Sequence, residues 1–295
     1  MSQYADHLFD ENSSNNSWAN MLRFIPRGAR VLDVGCSTAN FGAALQKMRD
    51  CVVVGIDISD EDIAEAQTKI SAAYVRDITQ PGSLEALGTF DVIIFADVLE
   101  HLVDPREALR ACKALLSEGG YVVYSIPHMG HLSVRFQMLE GRFPYTELGL
   151  LDRTHLHFYD RHEVDDVFGS AGFSIVEEAP TVVGFPERLA ARRLGSIGLA
   201  DSPQFYEMLE ATDAHIYQFI GRAVPTRDVP TLVPALSDDD ASPDGLLRLA
   251  NDALEENQQL RTRIRELETY LSDIKRRPLT VIARAIGRRL GLTGR

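Results

Sequence analysis

Val31-Leu-Asp-Val-Gly-Cys-Ser-Thr-Ala-Asn-Phe-Gly42 decides how this chain reads. Mostly apolar residues run into a turn of small ones, and a helix-like run from Phe41 to Met48 follows. A buried strand hands over to a helix across a ligand site in this way. The next apolar run, Val52-Val-Val-Gly-Ile-Asp-Ile-Ser59, reaches Asp57 about 20 residues after Gly35, the separation at which a βαβ unit places the acid that holds ribose hydroxyls. A nucleoside-bearing cofactor is expected at this turn.

What the turn lacks narrows the choice. A dinucleotide fingerprint starting at Gly35 needs glycines at positions 37 and 40 so that backbone can approach a pyrophosphate; Ser37 and Asn40 stand there. Asp33, just before the turn, would repel a pyrophosphate and suit a cation. S-adenosylmethionine, with a ribose, an adenine, an ammonium, a sulfonium and no phosphate, fits both observations.

On these residues the chain resembles the class I S-adenosylmethionine-dependent methyltransferases. Their first motif is an acid followed by alternating glycines, and Asp33-Val-Gly35-Cys-Ser37-Thr-Ala39 departs from it at Ser37 and Ala39. The resemblance continues through Asp57, Val75-Arg-Asp77-Ile78 and the run Phe90 to Pro105, in the family's order. It implies an α/β fold: a Rossmann-like seven-stranded sheet with helices on both faces, its last strand antiparallel. It also implies S-adenosyl-L-methionine as cofactor. Carried over by position, Asp33, Gly35, Cys36 and Ser37 would border the methionyl part, Asp57 and Ile58 the ribose, and Asp77 and Ile78 the adenine. Asp97 would line the methionyl end.

Regular alternation of strand-like and helix-like runs from Val31 to Ile126, resumed from Arg161 to Val224, independently argues for a parallel sheet. Two insertions, 127–160 and 181–213, interrupt it. The first leaves from the carboxyl end of a strand, where open α/β sheets bind ligands, and is expected to form the substrate pocket. Before the sheet, Ser17 to Ile25 reads as a short helix with Trp18, Met21, Leu22 and Ile25 on one side; it is either a lid over the cofactor or a cover for the sheet.

The expected organisation is a methyltransferase domain over 1–224, a Pro/Asp/Ser-rich linker over 225–245, a coiled coil over 246–275 and a basic amphipathic tail over 276–295. Leu246, Ala250, Ala253, Asn257, Leu260, Ile264, Leu267, Leu271 and Ile274 alternate spacings of four and three. Ile264 and Asn257 at a, with Leu260 and Leu267 at d, favour a parallel two-stranded coil and hence a homodimer, the alternative being a helix packed on its own domain. In the tail, Leu279, Ile282, Ile286 and Leu290 share one face opposite Arg277, Arg284 and Arg288. Such a helix rests on an anionic membrane surface or docks on the acidic body.

A chain with 45% hydrophobic and 25% charged residues has an ordinary soluble composition. Its net charge is −13, and the basic tail leaves the rest more acidic still, a poor host for nucleic acid. Cys36, Cys51 and Cys112 have no disulfide or metal spacing, no apolar run reaches the ~18–20 residues of a membrane span, and the first residues have no signal-like core. The expected location is cytoplasmic, with peripheral contact at the inner membrane face through the tail.

Methyl transfer from a sulfonium is an in-line displacement, and a hydroxyl acceptor must also lose a proton. His101, after Glu100 at the end of the fourth strand, is one candidate; a helix-start role for the pair is the alternative. His155 and His157 lie in Leu151-Asp-Arg-Thr-His-Leu-His-Phe-Tyr159, which resembles the Asp-x-x-His-Leu-x-Phe segment of bacterial methyltransferases linked to polysaccharide and sugar modification. His155 is expected as general base, or else as a structural histidine bonded to Asp152. His128, His131, Asp152 and His157 are expected to border the substrate. Asp97, Glu100, His101 and His155 could also ligate a Mg²⁺-like ion, but no compact ligand motif supports one, and no metal is expected. The reading is O-methylation of a sugar hydroxyl in a glycan or its precursor. Methylation of a quinone or small phenol is the alternative, with Phe136, Phe143, Tyr145, Phe158 and Tyr159 as possible aromatic walls. A non-catalytic methyltransferase-like scaffold carrying a coiled-coil stalk is the reading from a different class.

Overall fold

A computed structural model describes residues 15–226. The chain divides into two units, Met1–Val229 and Pro230–Arg295; the coiled coil, the tail and nearly all of the linker lie outside the described residues.

The strands are β1 (Arg30–Val34), β2 (Val52–Asp57), β3 (Ala72–Val75), β4 (Phe90–Ala96), β5 (Leu116–Pro127), β6 (Phe173–Glu178), β7 (Thr181–Val182) and β8 (Ile216–Pro225). They form one sheet in the order β3-β2-β1-β4-β5-β8-β6, with β7 paired to β8. Neighbours from β3 to β5 are parallel, and β8 runs antiparallel to both β5 and β6. The expected seven-stranded sheet thus gains an eighth, two-residue strand from the second insertion. Strand order reverses between β1 and β4, so the chain leaves their carboxyl ends in opposite directions and a crevice opens there.

Apolar runs without alternation, such as Val52–Ile56 and Val92–Phe95, arise because both faces of these strands are covered. Leu32, Val34, Ile56, Ile93, Phe95 and Tyr124 face one layer with α4 (Pro105–Lys113) and α6 (Arg161–Ser170). Val31, Val53, Val92, Ile94 and Val123 face the other, with α1 (Ser17–Leu22), α2 (Asn40–Arg49) and α3 (Asp60–Ala66). Helix starts are set by short polar side chains: Ser59 accepts from Asp62 N–H, Asp104 from Glu107 N–H ahead of Pro105, and Asp160 from Glu163 N–H. Each such cap stabilises its helix by about 1 kcal/mol.

Met21, Leu22 and Ile25 are buried in the second layer, so α1 covers the sheet, and Trp18 lies 5.4 Å from the ring of Phe41 in α2. β5 starts earlier than its apolar run, at Leu116, with a register shift against β4 between Phe90 and Val92. Gly119 at φ +79° and Gly120, where a Cβ would sit 2.9 Å from the Phe90 carbonyl oxygen, allow this irregular pairing. The two insertions meet. Helix α5 (Leu132–Leu139) comes from the first, and α7 (Glu187–Ser196) and α8 (Pro203–Ala211) from the second. Leu132 and Phe136 pack with Ala190, Leu194 and Leu209 in a separate apolar cluster. No helix among the described residues is long and apolar enough to cross a membrane.

Candidate functional site

The crevice begins at the turn after β1. Gly35 takes φ +69°, and a Cβ there would sit 2.6 Å from Val98 Cγ2, so both conformation and space demand glycine. Ser37 and Ala39, at the two positions where the sequence departs from glycine, still adopt left-handed φ values of 46° and 56°. The turn therefore keeps its shape at a cost of roughly 1–2 kcal/mol per residue. Gly35 and Cys36 N–H groups both donate to the Ile56 carbonyl, fastening the turn to β2.

Asp57, at the carboxyl end of β2, joins two turns: its Oδ2 accepts from Ser37 N–H at 2.9 Å and its Oδ1 from Ser59 N–H at 3.0 Å. Beside it Ile58 is 72% exposed, an apolar face turned to solvent at a strand end. Cys36 is buried against Gly55, and burial pushes its thiol well up, so it is no nucleophile at neutral pH. Asp33 is only 3% exposed. Burial, and then the charge of Asp57, push its carboxyl up to about 7.

At the end of β3, Asp77 accepts from the Thr79 hydroxyl at 2.6 Å and the Thr79 N–H at 2.9 Å. These bonds hold its pKa below the usual carboxylate range. Ile78 is half-buried against the first layer. Past β4, Asp97 sits at φ +54° and accepts from Ser125 Oγ at 2.9 Å and Gln218 Nε2 at 2.9 Å. Burial nevertheless raises its pKa. Ser125 comes from β5 and Gln218 from β8, so Asp97 is positioned by distant strands.

A 3-10 turn, Leu99–His101, follows. The loop 154–158 hangs on it: Leu156 and His157 N–H groups both donate to the Glu100 carbonyl, and His101 Nδ1 lies 3.2 Å from the Thr154 carbonyl oxygen. This brings His155 to His101, ring centroids 4.9 Å apart. Burial, then His101, lower the pKa of His155. Asp152 accepts from Thr154 N–H at 2.8 Å and Thr154 Oγ at 2.7 Å. Burial pushes its carboxyl up, but these bonds and the two histidines outweigh it and hold the pKa low. Glu100 is 1% exposed, with no hydrogen-bond partner on either carboxylate oxygen. Burial, then Asp97, push it well above the usual range.

The other predicted histidines are engaged in the fold. His128 is buried on Phe219 with Nδ1 3.0 Å from the Ile216 carbonyl oxygen, and burial pushes its pKa down to about 4. His131 caps α5, its Nδ1 2.8 Å from Ser133 Oγ and its Nε2 3.1 Å from the Val183 carbonyl oxygen. His157 turns its Nε2 toward the Val103 carbonyl oxygen at 3.3 Å. Of the aromatic candidates, Phe136 and Tyr159 are core residues. Phe158 lies 6.2 Å from His155 and 5.5 Å from Phe143, which lies 5.6 Å from Tyr145.

The family model described as "Methyltransferase domain" matches residues 5–178. The chain belongs to the methyltransferase-domain family. A ubiquinone biosynthesis O-methyltransferase of Psychrobacter arcticus is 33% identical over 157 residues, covering 50% of this chain and 60% of that protein. One of Vibrio parahaemolyticus is 32% identical over 103 residues, covering 33% and 43%. The chain thus spans about half the length of these curated relatives. A magnesium protoporphyrin IX methyltransferase of Synechocystis with bound SAM superposes with a TM-score of 0.40 at 18% identity, covering 68% of this chain and 71% of that one.

The residues suit S-adenosylmethionine. A buried carboxylate at Asp33 matches a cation, Asp57 presents a carboxylate at the strand end, and Ile58 offers an exposed apolar face for a base. Sequence reasoning did not find Ser125, Gln218 or Val98, which position Asp97 and Gly35; they are ordinary residues whose roles come only from strand order.

Proposed function

We propose that the protein transfers a methyl group from S-adenosylmethionine to a phenolic hydroxyl of a quinol or other small aromatic acceptor. The observation that carries the choice of acceptor is the aromatic path from His155 through Phe158 and Phe143 to Tyr145. Aromatic side chains stack on or abut a planar ring, each pair contributing about 0.5–1.5 kcal/mol beyond area burial. Phe143 and Tyr145 are exposed, so the path opens to solvent. The names of the relatives point to the same acceptor class.

The bound cofactor supplies a methyl on a sulfonium: the S–CH₃ bond breaks, an O–CH₃ bond forms, and sulfur keeps the electron pair. Asp57 holds the ribose hydroxyls, Asp33 attracts the positive methionyl end, and Ile58 and Ile78 border the adenine. Orientation does most of the catalytic work in such a displacement. The acceptor hydroxyl loses its proton beside the His101–His155 pair.

The sugar-hydroxyl reading of Asp152-x-x-His155-Leu-x-Phe158 is separated by experiment. Purified protein is incubated with methyl-labelled S-adenosylmethionine and either a catechol, such as caffeic acid, or a panel of nucleotide sugars. Label in the catechol supports the reading. Label confined to the nucleotide sugars overturns it.

A further inference from the structure

Glu100 holds a buried carboxylate with both oxygens unpartnered. Leaving such a group unsatisfied is costly, more so if charged, so each instance calls for an explanation. Two imidazoles stand beside it. One ligand atom each from Glu100, His101 and His155 lie within 4.8 Å of one another. A carbonyl oxygen only accepts, so His101 Nδ1, 3.2 Å from the Thr154 carbonyl oxygen, carries the ring proton, and Nε2 keeps its lone pair in the neutral ring. Thr154 is itself fixed by two hydrogen bonds to Asp152. A carbonyl that orients a histidine in this way, itself held by a carboxylate, is the usual outer support of a metal ligand.

We propose that Glu100, His101 and His155 form a divalent transition-metal site beyond the carboxyl end of β4, taking Mn²⁺ or Zn²⁺ in preference to Mg²⁺ or Ca²⁺. One carboxylate oxygen and two imidazole nitrogens suit borderline transition ions, whereas Mg²⁺ and Ca²⁺ prefer oxygen alone. Ligand bonds of about 2.0–2.2 Å would draw the three donors somewhat closer together than they stand. Three protein ligands leave coordination positions open. What the ion does there rests on the acceptor reading above: a phenolic oxygen bound to it loses its proton to solvent more readily, and the two rings hold the ion instead of acting as base. Cation binding itself does not depend on that reading.

The test uses the full chain, stripped with EDTA and desalted, then titrated calorimetrically with MnCl₂, ZnCl₂ or MgCl₂; the Mn²⁺ samples are also followed by paramagnetic resonance. The expected result is one Mn²⁺ or Zn²⁺ per chain and weaker Mg²⁺. Glu100→Gln and His155→Asn should each weaken Mn²⁺ by at least about tenfold, with S-adenosylmethionine affinity unchanged. Glu100→Gln keeps the side chain's shape and decides the matter if His155→Asn fails to fold. No transition-metal binding by the wild type, or equal affinity in the variants, overturns the proposal. Loss of the ion in the variants while no catechol is methylated by the wild type upholds the metal site and removes the acceptor reading.

Discussion

Asp33→Asn should make the protein more stable at pH 8 while weakening the cofactor. The Asp33 carboxyl is 3% exposed, and burial, then the charge of Asp57, raise it from 3.8 to about 7. A group that binds its proton more tightly when folded favours folding below its unfolded pKa, and that advantage is lost as pH rises through the folded pKa. Above pH 7 the native state therefore carries a buried charge that destabilises it by about 4 kcal/mol, at 1.36 kcal/mol per pKa unit. Asn has nearly the same shape and no charge. At pH 8 it should recover about 2–4 kcal/mol, or ~5–15 °C in melting temperature for a domain of this size. The gain should shrink as pH falls from 7 and vanish below about pH 3, where Asp33 is protonated in both states. The assay is thermal unfolding of both proteins by circular dichroism across that range. Equal stability at pH 8, or a gain that does not change with pH, would refute the reasoning. The same charge should favour a cationic ligand, so wild-type affinity for S-adenosylmethionine should rise with pH toward 7 and that of Asp33→Asn should not.

Gly35→Ala forces a side chain into left-handed backbone and against Val98 Cγ2 at 2.6 Å; it should cost about 2–5 kcal/mol in urea unfolding. Adding Val98→Ala should restore about 1–3 kcal/mol relative to additivity, and strict additivity would contradict the packing account. Phe143→Ala, at the open end of the aromatic path, should raise the KM for a catechol about three- to tenfold with little change in kcat, as expected for loss of roughly 1 kcal/mol of stacking. A fall in kcat at constant KM would place Phe143 elsewhere in the reaction.

The turn, Asp57 and the parallel sheet were legible because each has a local signature. Val31–Val34, apolar but for Asp33, and Val52–Ile56 show no alternation, since both faces of those strands are covered, and an acid at the end of the second strand needs only a count from Gly35. The sequence groups His155 with His101 only as possible ligands of one ion; what joins them, two backbone bonds from the loop to the Glu100 carbonyl, has no signature in it. His128 and His131 look like His155 in sequence; in the fold they bond the carbonyls of Ile216 and Val183, whereas His155 lies against His101. β7 has two residues, too few for any periodicity, and its partner Gln218 also reaches across to Asp97. Helices α5, α7 and α8 lie within the expected insertions, and their common cluster around Phe136 joins stretches that nothing in either one links. Ser37 and Ala39 weaken the glycine pattern, yet their left-handed backbone preserves what the glycines would provide.

Calorimetric titration of the full chain with S-adenosylmethionine, beside Asp57→Ala of unchanged fold, tests the central claim most directly. The account predicts one cofactor per chain with micromolar affinity, weakened by at least about 1.4 kcal/mol, or tenfold, in the variant. No binding to the wild type, or equal binding to both proteins, would contradict it and leave the domain as a methyltransferase-like scaffold.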